Sequence, residues 1–516
     1  FLYSPSRSEI RPSITDGPPL DGPPVTDPGM VDGGTIPPTI ANDARLLTNR
    51  PLSGYSINRG TANEEVRTIS HTGSGDYTIQ VAGYNGEASD DFYAVRVEIK
   101  QPEQPACAPR AFPFTGTRGV LPTSYPTGLN TLFVVNKQRL EAMYGPTTDA
   151  DNNGDADVDE VMAELTALSG RADLGVIGSV LQVDGSDAVQ AAAKAWDADQ
   201  CSPAAANDYV GAIGAVIDEI KQAHPGLKSI VLVGSDPAIP HARIPDLTRQ
   251  FNQSQFASEL VDQENPYYAA FATENLLSDD PYGDFDPIPY LDRQLFVPDV
   301  ALGRLVEEPL EIAAQLRRFG MDKVDGKLDP RSALTTGYDF LSDGAAGIAD
   351  RLGAKVGAAR SERLISESWD RSALLSSVFP PGESPGILSI NAHYNPFSAL
   401  PAASNAANKT DDLFTTADVV AAGPDRLAGR ILFTMGCQAG LNLADVVLGV
   451  PQPDWAQTLT AQNAVYAGNS GFGLGDTDVV AYSERYMQLL AENLDGSMSV
   501  GQAVALAKQR YFGSLA

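Results

Sequence analysis

The sequence of 516 residues contains little cysteine, little histidine and no long apolar run. Three cysteines and four histidines leave few side chains for nucleophilic chemistry. No apolar run approaches the roughly 18 residues that span a bilayer, so no membrane span is predicted. Basic residues are also scarce, because 36 Lys and Arg stand against 66 Asp and Glu, for a formal net charge of -30. Nucleic acid is therefore not a predicted partner, since binding phosphates needs a basic face.

The composition is otherwise that of a soluble globular protein, with 43% apolar and 20% charged residues. The length predicts two to four domains. The acidic balance suits a secreted, calcium-rich or saline setting, although acidity that only keeps the surface soluble explains it equally well. The chain starts at Phe1 with no signal peptide. We therefore expect a processed protein that is secreted or displayed at the cell surface.

An odd number of cysteines in a secreted chain predicts one disulfide and one free thiol. Cys107 in "QPACAPR" and Cys201 in "DADQCSPAA" lie in polar, loop-like segments, whereas Cys437 ends an apolar run. We predict a Cys107–Cys201 disulfide and a free Cys437. Three reduced thiols in a cytosolic protein are the alternative.

Composition and periodicity divide the chain into four predicted parts. Residues 1–40 are rich in Pro and Gly and predict an extended arm. Residues 41–110 alternate apolar and polar residues, as in "GDYTIQVAGYN" and "DDFYAVRVEIK", and predict a small antiparallel β-sandwich. Strands then alternate with helices over 128–325 and again over 330–516. That pattern predicts an α/β fold with a parallel sheet in each of two subdomains.

Two predicted strands of the last part end in reactive side chains. "GILSINAH" ends in His393, and "RILFTMGC" ends in Cys437. Neighbouring parallel strands would bring these ends together at one edge of the sheet, where α/β proteins place their active sites. A thiol next to an imidazole is suited to nucleophilic catalysis. The alternatives are a buried packing thiol and a structural histidine, and His241 in "AIPHARIP" is a possible competitor for the catalytic role.

The two motifs resemble a known family. "LSINAH", followed by "ILFTMGCQAGLN" with His393 and Cys437 44 residues apart, looks like the catalytic strands of clan CD cysteine peptidases, in particular the gingipain-type branch, which is related in fold to caspases. "SIVLVGSDPAIP", "DVALGRLVEE" and "YAGNSGFGLGDTD" extend the resemblance over roughly 128–516. The resemblance implies a caspase-like parallel-sheet sandwich and a cysteine endopeptidase that cleaves proteins or peptides.

The resemblance also implies a role for each matching residue. His393 would be the general base and acid, and Cys437 the nucleophile that forms a thioester. Backbone amides around Tyr394 and Gly436 would bind the oxyanion. The family usually has Gly directly after the catalytic His, so the Tyr394 side chain is a departure that could narrow or block the cleft.

Two acidic residues follow the "GNSGFG" segment. Asp476 and Asp478 could form a specificity pocket for a basic substrate side chain. Capping of the next helix is the alternative role, and we favour it.

A second motif predicts a calcium site. "DADNNGDADVDE" at 149–160 fits D-x-[DN]-x-[DN]-G-x5-E, the spacing that places oxygen ligands around Ca²⁺. Helical patterns flank it on both sides, and a structural Ca²⁺ would hold this acidic loop together. A solvated acidic loop without metal is the alternative. The predicted ligands are Asp149, Asp151, Asn153, Asp155 (through its carbonyl), Asp157 and Glu160.

Two functional hypotheses follow. The first is a secreted, calcium-stabilised cysteine endopeptidase. The second is a catalytically silent structural or assembly protein that keeps the caspase-like fold. The Pro-rich arm, through which the protein could self-assemble, and the departure at Tyr394 favour the second hypothesis.

Overall fold

The computed structural model describes residues 2–3, 52–54, 78–79, 94–97 and 112–514, the last range with short gaps at 115, 249–250, 258, 261–263, 291–292, 320, 322, 325–326, 408–411, 450–451 and 477–478. The strands of these residues are β1 Leu2–Tyr3, β2 Leu52–Gly54, β3 Thr78–Ile79, β4 Thr131–Val135, β5 Gly178–Gln182, β6 Ser229–Val233, β7 Ala242–Pro245, β8 Asn275–Ser278, β9 Ile288–Tyr290, β10 Arg293–Leu295, β11 Ala301–Leu305, β12 Lys323–Val324, β13 Lys327–Leu328, β14 Ala333–Gly337, β15 Ser361–Ile365, β16 Ile387–Ser389, β17 His393–Asn395, β18 Ser398–Leu400, β19 Phe414–Thr415, β20 Ile431–Phe433 and β21 Val465–Ala467.

The α-helices lie mainly between the parallel strands. They are α1 Lys137–Tyr144, α2 Asp157–Ser169, α3 Asp187–Ala198, α4 Pro203–Ala223, α5 Gln253–Ala257, α6 Pro266–Ala272, α7 Pro309–Arg318, α8 Ser342–Val356, α9 Arg371–Val378, α10 Ala402–Ala406, α11 Thr416–Ala421, α12 Asp445–Leu448, α13 Trp455–Ala461, α14 Tyr482–Asn493 and α15 Val500–Gly513. Among the described residues, no helix is both long and apolar enough to cross a membrane.

The predicted arm and β-sandwich lie mostly outside the described residues. Within them, β1 pairs antiparallel with both β2 and β3 in a small three-stranded sheet. Leu2 and Tyr3 therefore pair within their own chain, and nothing in the described part of the arm supports self-assembly. Residues 94–97 belong to a predicted strand; in the described part of the chain they are exposed and are not assigned to a strand. Cys107 lies outside the described residues, so its disulfide stays a prediction.

The first parallel sheet falls within the range 128–325. Its strand order is β11-β6-β4-β5, and every neighbouring pair is parallel. All five residues of β4, the run "TLFVV", are buried, as expected of a strand covered on both faces. One face packs on Tyr209 and Ile213 of α4, and the other on Val161 of α2 and Ile312 of α7. Sequence and structure agree on this α/β unit.

The second parallel sheet carries the predicted catalytic strands. Its order is β15-β14-β16-β20-β21, again with all neighbours parallel. One face packs on Leu374 of α9 and Leu459 of α13, and the other on Ile348 of α8 and Leu490 of α14. The strand order reverses between β14 and β16, because β15 lies on one side of β14 and the later strands lie on the other. Crevices at the carboxyl ends of strands beside such a reversal are where open α/β sheets bind ligands.

A shared core joins the first half of the α/β part, residues 128–325, to the second half, residues 330–516. Phe256 of α5 and Phe271 of α6 form one apolar cluster with Leu441 and Leu443, which follow closely after Cys437. The Ala444 N–H also donates to the hydroxyl of Tyr267 at 3.1 Å. The segment after the candidate nucleophile is therefore anchored on the first half of the molecule.

Candidate active site

Cys437 lies just beyond the carboxyl end of β20, at the edge of the second sheet. The strand ends at Phe433, and a short irregular segment carries the chain to the cysteine. The Met435 N–H donates to Oδ1 of Asn391 at 3.1 Å, and Nδ2 of Asn469 donates to the Met435 carbonyl at 2.9 Å. Hydrogen bonds to Asn391 and Asn469 therefore fix the backbone of Met435, two residues before Cys437.

The thiol of Cys437 is free and partly buried. Its Sγ donates to the carbonyl oxygen of Gly473 at 3.6 Å. Burial raises the pKa of the Cys437 thiol, and the nearby backbone of Gly473 opposes this rise only in part. The resting group is therefore a neutral thiol, which must lose its proton before it can act as a nucleophile.

The imidazole of His393 lies between two aromatic rings beyond β14. Its ring centroid is 5.7 Å from that of Tyr338 and 5.6 Å from that of Phe340. Its Nε2 is 3.9 Å from Oδ2 of Asp339. Burial lowers the pKa of His393, while the Asp339 carboxylate acts in the opposite direction. A neutral imidazole with a carboxylate on one side is suited to accept a proton.

The strands place the two residues at the same sheet edge. β16 and β20 are adjacent and parallel, with Ser389 opposite Phe433. The sequence placed His393 at the end of β16, whereas the strand ends at Ser389 and His393 begins the antiparallel strand β17. Among the described residues His393 and Cys437 share no hydrogen bond, since the thiol binds Gly473 and the imidazole faces Asp339.

The backbone around both residues offers one amide for an oxyanion. The Gly436 N–H, a predicted donor, is already bound to Oγ1 of Thr434 at 3.0 Å. The His393 N–H donates to the hydroxyl of Tyr338 at 3.1 Å. Among the described residues, no acceptor takes the N–H of Cys437. That amide is therefore the donor available next to the nucleophile.

The side chain of Tyr394 points into the protein core. Its ring packs against the ring of Trp455, with centroids 5.5 Å apart, and against the apolar cluster under β16 and β20. A Cβ atom at position 436 would overlap the same ring. The ring therefore contacts Gly436 and Trp455, and narrowing of the cleft by this side chain stays a prediction.

Sequence reasoning missed two residues of this site. Asp339 follows β14 by two positions and has a backbone φ of 53°, a strained conformation that often marks functional positions. Asn391 is fully buried, and its Nδ2 donates to the Thr336 carbonyl at 3.0 Å. Asp339 follows the strand in "ALTTGYDF" (333–340) and Asn391 follows the strand in "GILSINAH", so the rule that located His393 could have located both.

The predicted specificity pocket is only partly described. Asp478 lies outside the described residues. Oδ1 of Asp476 accepts a hydrogen bond from the Val479 N–H at 3.2 Å, which is a local turn contact shortly before α14. The N-cap of α14 is Ala481, whose N–H donates to Oε2 of Glu484 at 3.2 Å, so both roles suggested for Asp476 stay predictions.

The acidic loop at 149–160 gathers three carboxylates. Asp149, Asp151 and Asp157 each offer an oxygen, and these atoms lie within 4.8 Å of one another. Gly154 makes the sharp turn with a φ of 99°. Helices α1 and α2 flank the loop, as the sequence predicts. Glu160 contacts both the loop and α7, since its Oε1 accepts a hydrogen bond from Nδ2 of Asn153 at 2.7 Å and its Oε2 is 2.6 Å from Nη2 of Arg317.

The competing histidine, His241, lies in a buried ionic cluster of the first half. Its Nδ1 is 3.2 Å from Oδ1 of Asp236, and its Nε2 is 3.8 Å from Oδ1 of Asp279. Arg243 also binds Asp236 at 2.7 Å. These contacts give His241 a structural role, and none of them involves Cys437.

No protein-family model and no curated protein matches the sequence. Three solved structures are similar to it. The Arg-specific cysteine proteinase gingipain R is 13% identical, over 76% of this chain and 74% of that chain, with a TM-score of 0.41. The complex of Porphyromonas gingivalis RgpB pro- and mature domains is 12% identical over 75% and 74%, also at 0.41. A further protease is 13% identical over 74% and 76%, at 0.41.

Proposed function

We propose that this protein is a cysteine peptidase in which Cys437 is the nucleophile and His393 the general base. The observation that carries the proposal is their placement after two adjacent parallel strands. The contact between Tyr394 and Gly436 brings the two segments against each other. A free thiol, a neutral imidazole and an unbound amide at one sheet edge are the parts that acyl transfer needs.

The reaction would proceed through a thioester. When a peptide binds, the His393 imidazole takes the Cys437 proton and the sulfur attacks the substrate carbonyl carbon. The Cys437 N–H stabilises the oxyanion of the tetrahedral intermediate. The imidazolium, stabilised by Asp339, then gives its proton to the leaving amine as the C–N bond breaks. Water, deprotonated by the same imidazole, hydrolyses the thioester and restores the thiol.

Substitution of Cys437 tests the proposal. We expect Cys437→Ala to abolish cleavage of a mixed fluorogenic peptide library, and His393→Asn to lower turnover by about 10²-fold or more. The melting temperature should change little in both variants, because both side chains are partly exposed. Iodoacetamide should inactivate the wild type and modify Cys437. Equal cleavage by Cys437→Ala and wild type would refute the role of the thiol.

A catalytically silent caspase-like protein is the second candidate. It is favoured by the separate partners of the thiol and the imidazole and by the raised pKa of Cys437. Active dyads are often loose without substrate, so this observation does not outweigh the placement of the residues. The absence of cleavage in the whole library, together with slow alkylation of Cys437, would favour the silent protein.

We also propose that the acidic loop binds a structural Ca²⁺. The carboxylates of Asp149, Asp151 and Asp157 supply the hard oxygen ligands that Ca²⁺ prefers, and a bound cation would relieve their mutual repulsion. Glu160 would have to leave Arg317 to complete the site. We expect a chelator to lower the melting temperature of the wild type. The same chelator should have no effect on Asp149→Asn/Asp151→Asn, and an equal effect on both proteins would count against this loop.

The proposal includes a setting and a substrate class. The excess of acidic residues and the predicted Cys107–Cys201 disulfide support secretion, where calcium is abundant. Protein or peptide substrates follow from the acyl-transfer chemistry and from the motif resemblance. Digestion of a denatured protein, followed by mass spectrometry of the products, would identify the residues next to the cleaved bonds.

A further inference from the structure

We propose that Tyr394 is a positioning residue for the nucleophile, acting through Gly436 and Thr434. The proposal rests on the proposed function, because it concerns the same thiol. Tyr394 touches neither Cys437 nor the imidazole in any contact described above. Its effect on the reaction would come from holding Gly436 and Thr434, which lie one and three positions before Cys437.

The ring of Tyr394 forms a support beneath Gly436. A Cβ at position 436 would overlap Cβ, Cγ and Cδ2 of Tyr394, so the backbone lies directly on the side chain. Behind it, Trp455 and Phe414 stack with centroids 5.4 Å apart. Tyr394 and Trp455 also line one small apolar cavity. The support is therefore part of the apolar core under β16 and β20.

The hydroxyl of Tyr394 reaches the same segment by a second route. It lies beside the Thr434 side chain, and Oγ1 of Thr434 accepts the Gly436 N–H at 3.0 Å. The ring of Tyr394 thus contacts Gly436 directly, and its hydroxyl acts on the Gly436 N–H through Thr434. With the Gly436 amide occupied, the Cys437 N–H is left as the donor for the oxyanion.

The directions of the His393 and Tyr394 side chains indicate that Tyr394 supports the site and does not obstruct it. Along β17, His393 and Tyr394 are successive residues, so their side chains leave on opposite faces of the strand. The imidazole contacts Tyr338 and Phe340, whereas the phenol contacts Trp455 and Gly436. Tyr394 is therefore directed away from the face that carries the imidazole.

Substitutions at Tyr394 test the proposal by turnover and by alkylation. We expect Tyr394→Phe to lower kcat about tenfold and Tyr394→Ala about 10²-fold, with KM nearly unchanged, since displacements near 1 Å have effects of that size. The rate of Cys437 alkylation should change in the same variants. The matched control is Tyr282, a buried tyrosine of the first half whose hydroxyl donates to the Pro240 carbonyl at 2.6 Å. Tyr282→Phe should leave kcat unchanged.

A double-mutant cycle tests the route through Gly436. Gly436→Ala alone should lower kcat, because the added methyl group overlaps the ring. Combined with Tyr394→Ala it should cost less than the sum of the two single losses, because Cγ and Cδ2 of Tyr394 no longer overlap the added methyl group and only Cβ still does; such non-additivity marks residues that act together. Additive losses would overturn the proposed route.

Two other results would contradict the proposed role of Tyr394. A rise in kcat or in alkylation rate for Tyr394→Ala would mean that the side chain obstructs the site, and would overturn the proposal. A loss no larger than that of Tyr282→Ala would make Tyr394 an ordinary core residue. If the wild type cleaves no peptide, the proposed function fails, and alkylation rates still test positioning.

Discussion

Two buried carboxyl groups between the halves predict an unusual dependence of stability on pH. Glu307, just after β11, and Asp454, before α13, are each only 1% exposed. Nδ2 of Asn442 donates to both, at 3.1 Å and 3.0 Å. Among the described residues neither carboxyl group has a basic partner. Burial raises the pKa of Glu307 to about 9 and that of Asp454 to about 7.

The direction in which stability changes with pH follows from comparing proton binding in the folded and unfolded chains. Unfolded Glu307 loses its proton near its ordinary pKa of 4.5, whereas the folded chain keeps the proton until about 9. Between these values the folded state binds one more proton, so its stability falls as pH rises. Each bound proton contributes a slope of about 1.4 kcal/mol per pH unit. From pH 6 to pH 8 the loss from Glu307 alone is therefore about 3 kcal/mol.

Glu307→Gln removes this titration and should flatten the dependence. The assay is denaturant unfolding across this pH range, followed by the fluorescence of Trp455, which adjoins Asp454. The slope is the quantity to compare, because the variant's lost hydrogen bond shifts stability equally at every pH. Glu383→Gln is the control, since Glu383 is an exposed carboxylate on the surface. A variant with the slope of the wild type would refute the reasoning.

Two further predictions concern buried polar groups. Asn391→Ala should lower kcat and destabilise the protein by about 1–3 kcal/mol, because the Met435 N–H loses its acceptor; kinetics with thermal unfolding would measure both, and unchanged kcat would exclude a role in holding the thiol segment. Asp236→Ala should destabilise by about 3–5 kcal/mol, because it leaves the buried Arg243 without its partner; a loss below about 1 kcal/mol, as at an exposed pair, would contradict the burial of this cluster.

The sequence alone determined much of the α/β part of the fold. Apolar runs such as "TLFVV" and "ILF" form strands because they are short, rich in branched and aromatic residues and bounded by turn residues. The helices between these strands can be recognised because their apolar residues recur with a period of about 3.6 residues. The strand ends then placed His393 and Cys437 at one edge, because parallel strands share a direction. Local patterns were sufficient for this inference, since the spacing of apolar residues within a helix or strand shows which of its faces is buried.

The tertiary structure decided the parts that depend on contacts between distant residues. Strand β15, "SERLI", has exposed and half-buried side chains, so its sequence carries a weak strand signal. The roles of Asn391 and Asp339 depend on partners brought close by the strand order. The direction of the Tyr394 ring depends on Trp455, which lies far along the chain. The sequence could show that Tyr394 departs from the expected glycine, but only packing shows that its ring lies in the core beneath Gly436.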